Sequence, residues 1–174
     1  SAYSYTIAAS DEGSSGSITY AATTRPSWLS FDASTGVLSG TPTNSEVGAH
    51  SVVLTATDAS GAVDTQSFTI TVSNVNHTPT VANAITDQTA TEDSALSFQF
   101  ASNAFADVDV GDSLTYTATL ADGSALPSWL TFTGATRTFS GTPLNGDVGT
   151  IAVKVIATDS GSAAINDTFN MTVN

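Results

Sequence analysis

The chain has 174 residues, 16 Asp and Glu against three Lys and Arg, a formal charge of −13, 40% hydrophobic residues and no Cys. That charge repels phosphate backbones and anionic headgroups, which argues against nucleic acid and membrane surfaces as partners. Without cysteine there is no disulfide, thiolate metal site or cysteine nucleophile. No apolar run approaches the roughly 20 residues of a membrane span, so direct membrane insertion is not expected. No basic stretch leads an apolar one at the start, and any export signal is expected outside these residues. Thr, Ser, Val and Ala dominate while strong helix formers are scarce, which predicts strands. So many carboxylates call either for a solvated acidic surface or for divalent cations held by oxygen ligands.

Taken in chain order, Ser1-Ala2-Tyr3-Ser4-Tyr5 begins a strand, and Pro26-Ser27-Trp28-Leu29-Ser30-Phe31 and Leu38-Ser39-Gly40-Thr41-Pro42 follow it. Val52, Leu54 and Ala56 alternate with Ser51, Val53 and Thr55, the period of a half-buried strand. Asp58-Ala59-Ser60-Gly61 is turn chemistry, and Phe68, Ile70 and Val72 alternate with polar neighbours in the next strand. The polar stretch Ser73-Asn74-Val75-Asn76-His77-Thr78-Pro79 is too short for a floppy tether and reads as a linker. The segment from Pro79 to Asp93 reads as an opening strand.

From there the pattern repeats. Ser94-Ala95-Leu96-Ser97-Phe98 answers the start of the chain, and Pro127-Ser128-Trp129-Leu130-Thr131-Phe132 answers Pro26 to Phe31 at a shift of 101. Phe139-Ser140-Gly141-Thr142-Pro143, Val148-Gly149, Ala157-Thr158-Asp159 and the Phe169, Met171, Val173 alternation complete the match. An internal repeat of this kind predicts two copies of one module. With six or seven strands each and no helical period, the fold class is all-β: two tandem Greek-key β-sandwiches. The first lacks the counterpart of its opening strand. The expected boundaries are 1–73 for the first domain, 74–79 for the linker and 80–174 for the second domain.

These motifs resemble the dystroglycan-type cadherin-like domains and the related immunoglobulin-like repeats of bacterial surface proteins. The resemblance rests on the Pro-Ser-Trp-Leu-x-Phe start, the Ser-Gly-Thr-Pro step, the Val-Gly turn, the Ala-Thr-Asp strand end and the Asn-x-Asn-x-x-Pro linker. It implies calcium between consecutive modules, with ligands from the base of one, the linker and the top of the next. On that reading Asp107 and Asp109 share one side of an extended loop, Asp159 ends a strand at the same pole, and Asn76 adds a linker oxygen. Backbone carbonyls near His77 or Thr78 complete the six to eight oxygens that calcium prefers.

Further junctional positions depart from the cadherin pattern: Asn44 and Glu46, the matching Asp147, and Asn74 of the linker. By the same mapping Asp11, Glu12 and Asp58 face an upstream neighbour, while Glu92 and Asp147 face a downstream one, each as a half-site or an ordinary exposed acid. His77 is a poor ligand for a hard cation and reads as a solvent-facing linker residue. Asp112 and Asp122 lie beside glycines and read as turn residues.

Catalysis is not expected. His50 and His77 sit at a strand start and in the linker, no nucleophile turn accompanies any Ser, and Asp107 and Asp109 are accounted for as ligands. Trp28 and Trp129 could stack on sugars, but their shared repeat position is that of core aromatics. Asn166-Asp167-Thr168 and Asn170-Met171-Thr172 match the short glycosylation pattern. The leading expectation is a calcium-binding, rigid extender of a secreted or cell-surface adhesin, partnered by neighbouring modules of its own chain. The alternative is a carbohydrate-binding module, with polysaccharide as partner, on a polysaccharide-active enzyme or adhesin. A third reading is protein binding through an unpaired strand edge in the first copy.

Overall fold

The computed structural model describes residues 1–10 and 17–174; Asp11 and Glu12 lie outside the described residues. The chain divides into two compact units, Ser1–Asn74 and Val75–Asn174.

Unit 1 contains β1 (Tyr3–Thr6), β2 (Thr19–Thr24), β3 (Leu29–Asp32), β4 (Val37–Gly40), β5 (Gly48–Thr57) and β6 (Val63–Val72). A single 3-10 turn, Asn44–Glu46, precedes β5 among the described residues. Two sheets form, in the orders β1-β4-β3 and β2-β5-β6. Their inner faces meet in one core: Ile7, Leu29 and Leu38 from the first side pack with Val52, Leu54 and Ile70 from the second. The alternation in β5 sets this outcome, since Val52 and Leu54 are fully buried while Ser51 is exposed. Full burial of one such side chain contributes about 1.5–3 kcal/mol.

Unit 2 contains β7 (Thr80–Val81), β8 (Gln88–Ala90), β9 (Leu96–Gln99), β10 (Phe105–Ala106), β11 (Thr115–Leu120) and β12 (Leu130–Thr133). It continues with β13 (Thr138–Gly141), β14 (Gly149–Thr158) and β15 (Ala164–Val173). Its sheets run β12-β13-β9 and β11-β14-β15-β8, with a small β10-β7 ladder beside them. Phe139 and Leu130 of one sheet face Val153, Val155, Ala157, Phe169 and Met171 of the other. Phe139 anchors an aromatic group, with Phe132 at 4.4 Å and Phe169 at 5.7 Å between ring centroids.

The opening strand expected from Pro79 to Asp93 is two strands. Thr80–Val81 pairs antiparallel with β10, and Gln88–Ala90 pairs parallel with β15. The all-β sandwich expected for each copy is what forms.

The repeated motifs have a steric basis. In both units the Trp lies in a turn closed by a Leu amide on a Pro carbonyl, Leu29 on Pro26 at 3.2 Å and Leu130 on Pro127 at 2.9 Å. Both tryptophans pack against their core clusters. That placement favours the core role over a sugar-stacking platform. The glycine of Ser-Gly-Thr-Pro is required by the same turn. A Cβ on Gly40 would strike the Trp28 carbonyl oxygen, and one on Gly141 the Trp129 carbonyl oxygen.

Candidate cation site

One pole of unit 2 gathers carboxylates from two segments. The loop after β10 carries Asp107, Asp109 and Asp112, and the end of β14 carries Asp159 just beyond Thr158. The Asp112 amide donates to the Asp109 carbonyl at 3.2 Å, and Gly111 between them has φ +84°. That turn reverses the loop and returns Asp112 to Asp107. Carboxylate oxygens of Asp107, Asp112 and Asp159 lie within 4.8 Å of one another.

The remaining acid of the loop does different work. Asp109 is 5% exposed and takes two bonds from His77: the backbone amide reaches Oδ2 and Nδ1 reaches Oδ1, both at 2.7 Å. The imidazole is exposed, as expected of a linker residue, and is also tied to the loop through this bond. The Asp109 amide in turn donates to Asp107 Oδ1 at 2.8 Å. Asp107 and Asp109 therefore point to different partners, because the loop turns at this bond instead of running extended.

Asp159 is also 5% exposed. Its Oδ1 accepts the Ala163 amide at 2.8 Å, and its Oδ2 accepts the Asn76 side-chain amide at 3.0 Å. Asn76 fits there because residue 161 is glycine: a Cβ would come within 2.5 Å of the Asn76 amide. The Ser160 hydroxyl and then the Ser113 amide hold the Asp112 carboxyl below its ordinary pKa, so it stays ionised near neutrality.

Three carboxylates at this spacing repel one another. Lys154 does not relieve them, since its Nζ donates to the Ala121 carbonyl at 3.2 Å. Asp107 Oδ2 is buried and has no hydrogen-bond partner. An all-oxygen donor set with one orphaned buried oxygen suits a hard divalent cation, calcium above softer metals.

Other sequence-derived candidates stand apart from this cluster. Glu46 caps its own 3-10 turn, accepting from the Thr43 amide at 2.7 Å and hydroxyl at 2.6 Å, and Asn44 begins the same turn. Asp147 does the equivalent in unit 2 by accepting the Leu144 amide at 2.9 Å. Asp58 is closed by its own turn, with the Ser60 hydroxyl on both carboxylate oxygens and the Ala62 amide on Oδ1. Asn74 ends unit 1. Glu92 donates its amide to the Asn174 carbonyl, and its Oε2 is buried without a partner. Asp112 and Gly161 are the two positions that reasoning from residue type passed over. The spacing Asp-x-Asp-x-Gly-Asp was the available signal for the first.

The Putative Ig domain family matches this chain twice, at residues 1–73 and 78–174. The serine-rich adhesin for platelets of Staphylococcus aureus strain USA300 is 33% identical over 168 residues, covering 96% of this chain. The chain spans only 7% of that relative's length. Among solved structures, human mucin-like protocadherin EC1-2 aligns with TM-score 0.61 at 16% identity, covering 91% of this chain and 84% of that one. Mouse clustered PcdhgC3 EC1-3 aligns with TM-score 0.60 at 15% identity, covering 90% and 55% respectively. At such identities the two protocadherins speak to the fold alone.

Proposed function

The chain belongs to the Putative Ig domain family, and on that premise we propose that it is a calcium-stiffened extender segment of a large surface adhesin. The observation that carries this reading is the Asp107, Asp112 and Asp159 cluster with its orphaned Asp107 oxygen. Those three residues hold the ion. Asn76 contributes through its amide, which already lies against Asp159, and Asp109 acts one step back by fixing His77 and the Asp107 loop. Calcium supplies the positive charge that lets three carboxylates share one pole, and it ties the segment entering unit 2 to the body of that unit.

The adhesin context is supported by the similarity to the staphylococcal relatives, which bear that name. Function then lies in reach and stiffness rather than in chemistry, and the segment works outside the cell with neighbouring modules of its own polypeptide as its partners. No enzymatic role is assigned. Asn44, Glu46, Asn74, Asp58, Glu92 and Asp147 are secondary candidates, as half-sites completed by other modules.

Calcium titration by calorimetry, paired with thermal melting in calcium and in chelator, tests the reading. Saturable binding and a higher melting temperature with calcium are expected. Absence of binding heat together with identical melting curves overturns it.

A further inference from the structure

Matching 3-10 turns precede the long strands of the two units, Asn44–Glu46 before β5 and Asn145–Asp147 before β14, and they differ in one chemically decisive residue. Asn145 is followed by Gly146, and no other Asn of the chain precedes a glycine. Asn44 is followed by Ser45. An Asn-Gly pair is reactive because the backbone nitrogen after the Asn can close a five-membered ring on the side-chain carbonyl carbon. Glycine has no Cβ to crowd that approach and the widest freedom of backbone rotation.

The fold leaves this peptide free to react. Asn145 and Gly146 are both exposed, and a Cβ on Gly146 would meet nothing within 4 Å. Ring closure requires the Asn145–Gly146 peptide plane to rotate. Among the described residues its carbonyl accepts only the Val148 amide, at 3.5 Å, and no acceptor takes the Gly146 N–H. The first is at the long limit of a hydrogen bond, and the second is one of the orphan donors at the start of a turn. The firm bonds bypass that plane: the Asp147 amide reaches the Leu144 carbonyl at 2.8 Å, and the Leu144 amide reaches Asp147 Oδ2 at 2.9 Å. In unit 1 the equivalent plane is held more tightly. The Ser45 hydroxyl bonds to Thr43 Oγ1 at 2.9 Å and to Glu46 Oε1 at 3.0 Å, and Asn44 has a partner of its own.

We propose that Asn145 is a self-modification site, where the Gly146 backbone nitrogen attacks Asn145 Cγ and the side-chain amide leaves as ammonia. The Gly146 nitrogen gives its proton to solvent hydroxide and bonds to Cγ. The Cγ–Nδ2 bond breaks, and Nδ2 takes a proton from water as it departs. Water then opens the five-membered imide. Opening at Cγ gives Asp, and opening at the main-chain carbonyl carbon of residue 145 gives isoaspartate, with the main chain routed through Cβ and Cγ. Either product places a new carboxylate two residues from Asp147 and two from Pro143, whose carbonyl accepts the Asp93 amide at 2.8 Å. Glu92, next to Asp93, already has a buried Oε2 without a partner. The isoaspartate branch also adds a backbone carbon to the turn and so separates Leu144 from its Asp147 cap. Unit 2 therefore gains negative charge with age at this turn, and unit 1 does not. The inference stands apart from the calcium reading.

Peptide mass mapping of the folded 174-residue chain, aged at neutral and at mildly alkaline pH, tests this. The peptide containing Asn145 should gain about 1 Da, the change from an amide NH2 to a carboxyl OH, and gain it faster at the higher pH. The peptide containing Asn44 should keep its mass. Gly146→Ala should slow the gain at least about fivefold, the scale of the backbone freedom that glycine adds, and Asn145→Gln should abolish it over the same period. A sample aged in urea reports the rate in the unfolded chain. Gain in urea with none in the folded chain overturns the proposal, because the turn then protects Asn145. Equal gain at Asn44 and Asn145 in the folded chain overturns it as well, since the difference between the two turns would then have no effect.

Discussion

Asn76 and Asp159 are 83 residues apart in sequence, yet the Asn76 amide donates to Asp159 Oδ2 at 3.0 Å. In unit 1 the matching carboxylate is closed from within, by the Ser60 hydroxyl on Asp58. Ser60 corresponds to Gly161 at the repeat shift of 101. One side chain therefore decides whether the acid ending the long strand is capped by its own turn or left open to another segment. Gly161→Ser should displace the Asn76 amide and put its own hydroxyl on Asp159, as Ser60 does on Asp58, while Asn76→Ala should lower stability by about 1 kcal/mol, the net worth of one hydrogen bond. Denaturant unfolding of Gly161→Ser, Asn76→Ala and the double variant checks it. The two effects should not add, because both remove the same bond.

The cluster makes opposite demands on the protein with and without calcium. Asp107→Asn removes one of three mutually repelling charges, so in chelator the variant should melt at or above the temperature of the parent. On the proposed reading the parent should gain in calcium and the variant should not, because Asp107 would supply one of the ligand oxygens. Asp122→Asn is the control, since that carboxylate lies outside the cluster and takes its hydrogen bonds from Ser124 in its own turn. Melting curves of the three proteins in both buffers read the result. A variant that gains as much from calcium as the parent would remove Asp107 from the site.

Acid sensitivity follows from the hydroxyl-capped carboxylates. The Ser34 hydroxyl lowers the pKa of Asp32, that of Thr43 lowers Glu46, that of Ser60 lowers Asp58, and that of Ser124 lowers Asp122. Each group has a lower pKa folded than unfolded. Its contribution is therefore present above the ordinary carboxylate range, about pH 4, and is lost as the pH falls through the folded value. All four are exposed, and solvent screening keeps each contribution small. Net charge acts the other way, since protonation relieves the −13. Individual carboxyl midpoints by NMR separate the two effects. Ser60→Ala should move the Asp58 midpoint up and leave that of Asp122 in place.

The sandwich was legible because both sources of evidence were local. Strand alternation at Val52, Leu54, Val153 and Val155 names the buried face, and the duplicated motifs set the module length. The site was legible only in part. Asp107, Asp159 and Asn76 could be placed at one pole from the resemblance to cadherin-like modules, but the directions of Asp109 and Asp112 depend on the turn at Gly111. A glycine beside an acid signals a turn without saying which residues the turn brings together. The split of the opening strand escaped for a related reason. Parallel pairing of β8 with β15 joins residues over 80 positions apart, and nothing in the spacing of Gln88 to Ala90 encodes it.

The glycine of the repeated Ser-Gly-Thr-Pro step gives the sharpest stability test. At Gly141 a methyl group would meet the Trp129 carbonyl oxygen, a backbone atom held by the Pro127 turn and by the Leu130 strand, so neither side can yield cheaply. Gly141→Ala should cost about 1–3 kcal/mol or more, the usual range for forced overpacking. Gly40→Ala should behave alike against Trp28. Gly146→Ala supplies the control, because a methyl group there meets nothing within 4 Å. Urea unfolding of the three variants checks the ranking. A Gly141→Ala protein as stable as Gly146→Ala would mean that the tryptophan turn shifts freely, and the steric account of the motif would fail.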